Sequence, residues 1–204
     1  LAGPTAVIFD VGNVLFTWSP RFLYERLIDD DRALEAFLRD VVTEDWHFQH
    51  DAGRRFAETS AELAALYPQH AELIAAWAPR FNESIGGPVP GVAEIVAELD
   101  AAGVPLYAIT NFSGEFWPPF RDTAPELFGR FRDIVVSGDE KLVKPDPAIY
   151  ELALARFGLA PGDALFIDDR ADNIAAAQAL GIVGHVFTDA ATLRARLREL
   201  GLLP

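Results

Sequence analysis

Two rhythms of apolar and polar positions divide this chain. Residues 5–10 (TAVIFD) form an apolar run closed by a carboxylate, the pattern of a short buried strand. Over 21–81 the rhythm turns helical. Leu34, Phe37, Leu38 and Val41 recur at helix spacing, as do Leu73, Ile74, Trp77 and Phe81, and no strand is predicted among them. IGGPVPG (85–91) predicts a hinge. Beyond it the elements alternate. Val92, Ile95, Val96 and Leu99 mark a helix stopped near Gly103, and strands are predicted over 105–110, 133–138, 164–168 and 182–187. Helices are predicted over 149–157, 172–180 and 190–200.

Strands alternating with helices imply an α/β fold with a parallel sheet covered on both faces, and the helical block reads as a cap inserted into it. Ligands of such sheets bind at the carboxyl ends of the strands. Asp10, Thr110, Asn111, Asp168 and Asp169 all fall there, and Lys144 follows the 133–138 strand closely.

Composition narrows the partners. A net charge of −14 over 204 residues argues against nucleic acid, whose backbone binding needs clustered Lys and Arg. A small anionic ligand needs only a few local cations or a metal. With no cysteine, disulfides and thiolate metal sites are excluded. No apolar run is long enough to span a membrane, and LAGPTAV lacks the marks of a signal peptide, so a cytoplasmic protein is expected. Oligomeric state is left open.

Each polar segment has a plain structural reading beside a chemical one. Asp10 fits an N-cap as well as a reactive carboxylate. In IDDRADN (167–173) the adjacent carboxylates repel unless a cation or proton compensates, and such hard oxygen ligands suit Mg²⁺. The same segment also fits an exposed turn in which Asp172 caps a helix. TNFS (110–113) offers hydroxyl and amide donors. KLVKPD (141–146) supplies Lys144, with Lys141 read as solvated. His70 reads as surface and His185 as structural.

Taken together and in order, FDVGNV, AITNFS, KPDP and FIDDRADNI resemble the four motifs of the haloacid dehalogenase superfamily of hydrolases, over the whole chain. The resemblance implies a Rossmann-like catalytic core over 1–17 and 88–204 and a helical cap over 18–87. It implies that Asp10 attacks phosphorus to form an aspartyl-phosphate that water hydrolyses. Mg²⁺ would be held by Asp10, the carbonyl of Gly12 and Asp169, with Asp168 and Asn173 supporting it. Thr110 would bond the phosphoryl oxygens beside the backbone N–H of Asn111, and Lys144 would pair with the phosphoryl group and Asp10.

Most phosphatases of this superfamily carry an acid/base Asp two residues after the nucleophile, where this chain has Gly12. One reason for a glycine is a backbone conformation that Asp adopts only at a cost. Three functions fit its presence. The first is a phosphatase for a small phosphorylated metabolite, a sugar phosphate among the candidates, with a good leaving group or another proton source. The second is a metal-independent 2-haloacid dehalogenase, and the third a phosphometabolite-binding protein on a hydrolase scaffold. The paired acids favour the first. The Gly-Asn-Val turn, HFQHDAG and EFWPPF are similar to the branch containing α-D-glucose-1-phosphate phosphatase. Cap loops in this superfamily reach over the active site. His50 is therefore a candidate for the missing proton function or for a substrate hydroxyl, and Trp117 for a substrate-facing aromatic; for both, ordinary packing is the competing reading.

Overall fold

The computed structural model of the protein describes residues 3–204, so residues 1 and 2 of the first expected core segment lie outside the described residues. Seven strands are found among them: β1 (Ala6–Phe9), β2 (Phe16–Trp18), β3 (Ile85–Pro88), β4 (Leu106–Thr110), β5 (Asp133–Val136), β6 (Ala164–Asp168) and β7 (Val183–Val186). Five form a parallel sheet in the order β5-β4-β1-β6-β7, so β1 is central. Its four residues are fully buried. Val7 and Phe9 enter the core on one face, Ala6 and Ile8 the core on the other, as a period of two requires when helices cover both faces. From β1 the chain goes on to β4 and β5 on one side of the sheet and then crosses over to β6 and β7 on the other. The crevice at this switch point opens at the carboxyl end of β1, where Asp10 sits.

Between β2 and β3 lie α1 (Pro20–Tyr24), α2 (Asp31–Asp40), α3 (Glu44–Asp51), α4 (Phe56–Leu66) and α5 (Ala71–Ala75). Side-chain oxygens of Ser19, Asp30 and Thr43 accept from free backbone N–H groups at the starts of α1, α2 and α3. These helices pack on an aromatic cluster in which Tyr24 stacks on Trp77 and Trp46 meets Trp77 edge-on. The later helices are α6 (Val92–Ala101), α7 (Trp117–Arg121), α8 (Pro125–Phe128), α9 (Ser137–Glu140), α10 (Pro147–Phe157), α11 (Ala171–Ala179) and α12 (Ala190–Glu199).

The expected α/β architecture is found, with two differences. Residues 85–88, expected as a hinge, form β3, which pairs antiparallel with the unexpected β2 (Thr17 opposite Gly87), so the chain enters and leaves the helical insertion through a two-stranded ribbon. Strands of three or four residues are too short to display a period. The expected strand over 133–138 ends at Val136, and Ser137 opens α9. Among the described residues no helix is long and apolar enough to cross a membrane.

Candidate active site

Asp10 stands one residue beyond β1, only 7% exposed, and its Oδ1 accepts from the backbone N–H of Val11 at 2.7 Å. Lys144, itself buried, brings Nζ within 2.8 Å of Asp10 Oδ1 and 2.6 Å of Asp168 Oδ2. A buried lysine is tolerable because two carboxylates flank it. Burial works against its charge, but Asp10 and Asp168 outweigh burial and raise its pKa.

Asn111 explains how Lys144 arrives there. Its side-chain amide donates to the Lys144 carbonyl at 3.0 Å, and its side-chain oxygen accepts from the Lys144 N–H at 2.8 Å. This side chain is spent on the backbone that carries the lysine, while the backbone N–H of Asn111 is the group expected at the substrate. Asp168 is fully buried and saturated: it accepts from Lys144 Nζ, the Arg170 N–H and both ways from Asn173 Nδ2 at 3.0 Å. Tyr150 fixes Asn173 by donating to its carbonyl at 2.9 Å. Thr110, buried, ends β4 beside this cluster.

Carboxylate oxygens of Asp10, Asp168 and Asp169 lie within 4.8 Å of one another. Burial, then the charge of Asp168, raises the pKa of Asp169. Burial likewise raises that of Asp10; Lys144 opposes the rise and Asp168 adds to it. One lysine does not neutralise three clustered carboxylates, so the set fits a hard cation. Because Asp168 is saturated, Asp10 and Asp169 are the carboxylates left to receive it.

A cleft opens over Val11, Gly12 and Asn111. Its walls include Phe16, Trp18, Phe81, Ile85, Phe112 and Phe120, and the insertion adds His47 and Asp51. Gly12 does not hold the restrictive backbone conformation expected of it. The left-handed residue in this turn is Asn13, with φ of 57°, and a Cβ on Gly12 would meet nothing within 4 Å.

Two expected residues are not brought to the cleft. His50 is fully buried, shares a 2.6 Å hydrogen bond with Thr59 Oγ1 and packs edge-on against Trp46. Trp117 is packed in the core against Phe112, Phe120 and Phe128. Both correct the expectation of substrate contact. His50 lies within a turn of His47 on α3 but its ring turns to Thr59 and Trp46, and Trp117 turns inward at the start of α7.

In their place stand His47 and Asp51, four residues apart on one face of α3, with His47 Nε2 3.5 Å from Asp51 Oδ2. Burial is the largest cause of both their shifts, lowering His47 to about 3 and raising Asp51 to about 8. Lys144 pulls the Asp51 value down and Asp10 pushes it up, so Asp51 lies within electrostatic reach of the cluster. Ser137 Oγ donates to the Asp51 carbonyl at 2.6 Å and accepts from the Phe112 N–H at 2.9 Å, tying the end of α3 to the sheet edge. Asp51 lies in the HFQHDAG segment but is passed over there for His50, and no motif points to the role of Ser137; the i, i+4 spacing of His47 and Asp51 is a further signal.

The Rossmann-like sheet carries its acid–lysine cluster at the switch point, and residues 4–181 match the haloacid dehalogenase-like hydrolases: the chain belongs to that family. It is 28% identical over 206 residues to the sesquiterpene phosphatase astK of Aspergillus oryzae, covering 96% of this chain and 95% of that protein. It is 36% identical over 91 residues to the phosphoglycolate phosphatase of Pectobacterium atrosepticum, covering 44% of this chain and 38% of that one. Among solved structures, a family enzyme of Bacteroides thetaiotaomicron in a magnesium complex superposes with a TM-score of 0.72 at 19% identity, covering 96% and 99% of the two chains.

Proposed function

We propose that this protein is a Mg²⁺-dependent phosphatase acting on a small organic phosphate monoester, with Asp10 as nucleophile and residues 18–87 as a cap over the cleft. The observation that carries this reading is the Asp10 carboxylate, held at the end of the central strand by Val11 N–H and Lys144 Nζ, directly before Val11 and Gly12, which line an open cleft. Asp10, Asp169 and the Gly12 carbonyl would hold the metal, which when bound supplies Lewis-acid stabilisation of the phosphoryl charge. Lys144 balances the charge of Asp10 and of the incoming phosphoryl oxygens. The Thr110 hydroxyl and the Asn111 N–H donate to those oxygens. Asn111, Asp168 and Asn173 act on Lys144 by positioning it.

The aromatic walls Phe16, Trp18, Phe81, Phe112 and Phe120 favour an apolar organic group over a polyhydroxylated one. A sesquiterpene phosphatase among the relatives points the same way. The sugar-phosphate alternative draws on the few polar groups of the cleft, Thr17 and His47 among them.

The test is phosphate release from farnesyl phosphate, benzyl phosphate and glucose 1-phosphate, with Mg²⁺ and with chelator, run beside halide release from 2-chloropropionate. Mg²⁺-dependent release that favours the apolar esters is the expected result. Chelator-insensitive halide release overturns the assignment in favour of a dehalogenase. Binding of all three esters without turnover overturns it in favour of a phosphometabolite-binding protein.

A further inference from the structure

When an alkyl phosphate is cleaved, its bridging oxygen needs a proton as the P–O bond breaks, help worth about 10²–10⁴-fold. The groups clustered around Asp10 are already committed. Lys144 is shared between two carboxylates, Asp168 is saturated, and the Asn111 side chain holds the Lys144 backbone. Gly12 borders the cleft beside Asp10 with no side chain and with open space where a Cβ would stand.

One carboxyl reaches this cleft from the helical insertion. Asp51, 6% exposed, lines it together with Gly12 and Asn111, and its Oδ1 has no hydrogen-bond partner. Its backbone is anchored to the sheet edge through Ser137, so the carboxyl is presented by a fixed support. The other titratable side chain of the cleft, His47, is a neutral neighbour kept uncharged by burial.

We infer that Asp51 is the general acid and base of the reaction, delivered from the insertion to the space that Gly12 leaves open. This rests on the phosphatase reading above. As an Asp10 oxygen bonds to phosphorus, the bond from phosphorus to the ester oxygen breaks, and the Asp51 proton moves to that oxygen, releasing the alcohol. Asp51, now a carboxylate, takes a proton from water while the water oxygen bonds to phosphorus and the Asp10–phosphorus bond breaks. Inorganic phosphate leaves, and both carboxyls return to their starting forms. Asp51 enters the cycle carrying a proton, as its buried position favours.

The experiment compares two aromatic esters that differ in leaving-group acidity. kcat and KM for p-nitrophenyl phosphate and benzyl phosphate are measured with Mg²⁺ in the wild type and in Asp51→Asn. The variant is expected to lose about 100-fold or more in kcat/KM on benzyl phosphate and less than about 10-fold on the nitrophenyl ester, because kcat/KM reports only the steps up to release of the alcohol; hydrolysis of the shared aspartyl-phosphate also loses its base, so p-nitrophenol should appear in a burst before slow steady turnover. Should the amide disturb the end of α3, Asp51→Ser gives the same comparison. Equal losses of kcat/KM on the two esters, or an unchanged kcat/KM on benzyl phosphate, overturn the role of Asp51 while leaving the phosphatase reading intact. A wild type that hydrolyses neither ester takes both readings down.

Discussion

Lys144 Nζ stands 2.8 Å from Asp10 Oδ1, a contact that joins the segment after β5 to the end of the central strand. Among the described residues Lys144 is the one cation paired with both Asp10 and Asp168, so Lys144→Ala leaves two buried carboxylates facing each other. Removing one partner of a buried ion pair costs about 3–5 kcal/mol. The variant should unfold at lower urea by about 3 kcal/mol, and phosphate release should fall below measurement. A stability within 1 kcal/mol of wild type, read from matched urea curves of roughly that precision, contradicts the clamping role.

Gly53 follows α3 with φ of 92°, and a Cβ there would lie 2.9 Å from the Gly138 carbonyl oxygen and from Lys141 Cγ. The insertion therefore sits against the α9 turn at a spacing only glycine permits. Gly53→Ala should cost about 2 kcal/mol, within the range for strain at a special backbone position. It should also displace Asp51, lowering kcat/KM on benzyl phosphate more than on p-nitrophenyl phosphate. Equal effects on both esters would mean that the spacing matters for stability alone.

Stability should depend on pH with one sign from Asp51 and the opposite sign from the buried histidines of α3, His47 and His50. Asp51 rises from 3.8 to about 8, so the folded protein keeps a proton that the unfolded chain releases between those values. Its contribution is complete below about pH 4 and is lost as pH rises through about 8. His47 falls from 6.5 to about 3, so its contribution is complete above pH 6.5 and is lost as pH falls towards 3. Between 6.5 and 8 only the Asp51 contribution has a slope, joined by the raised Asp10. In chelator the melting temperature should decline from pH 6.5 to pH 8, and Asp51→Asn should flatten that decline. A melting temperature that rises over this interval, followed by scanning calorimetry, rules the assignment out.

Asp10→Asn removes a charge from a crowded acidic edge while keeping the shape of the side chain. Turnover should disappear and the metal-free protein should gain about 0.5–2 kcal/mol, the usual exchange when a functional group under strain is replaced. Chemical denaturation beside a phosphate-release assay reads both quantities. A destabilised variant shows that the Lys144 pairing outweighs the repulsion.

Much of this was legible in the sequence because β1, β4 and β6 are apolar runs that end in Asp10, Thr110 and Asp168, and a parallel sheet gathers such ends at one edge. β2 and β3 were hidden because Phe16–Trp18 and Ile85–Pro88 are too short to show a period, and the second carries two glycines and a proline. The cap face of the site was hidden for another reason. HFQHDAG shows that polar groups are present but not which of them point inward. Helix geometry places His47, His50 and Asp51 within one turn of each other, and only the packing of α3 on Thr59, Trp46 and α9 turns the His50 ring away while His47 and Asp51 line the cleft. Trp117 was misread because its place beside the TNFS loop suggested contact with substrate, whereas α7 turns its ring into the cluster of Phe112 and Phe128.

That Asp10 carries the phosphoryl group is tested most directly by a single-turnover experiment with enzyme in excess over ³²P-labelled benzyl phosphate in Mg²⁺, quenched in acid and digested. The label is expected on the peptide containing Asp10, to be released by hydroxylamine as an acyl phosphate, and to be absent from Asp10→Asn and from chelator-treated protein. Release of phosphate at the wild-type rate by Asp10→Asn, with no labelled peptide, would contradict the assignment.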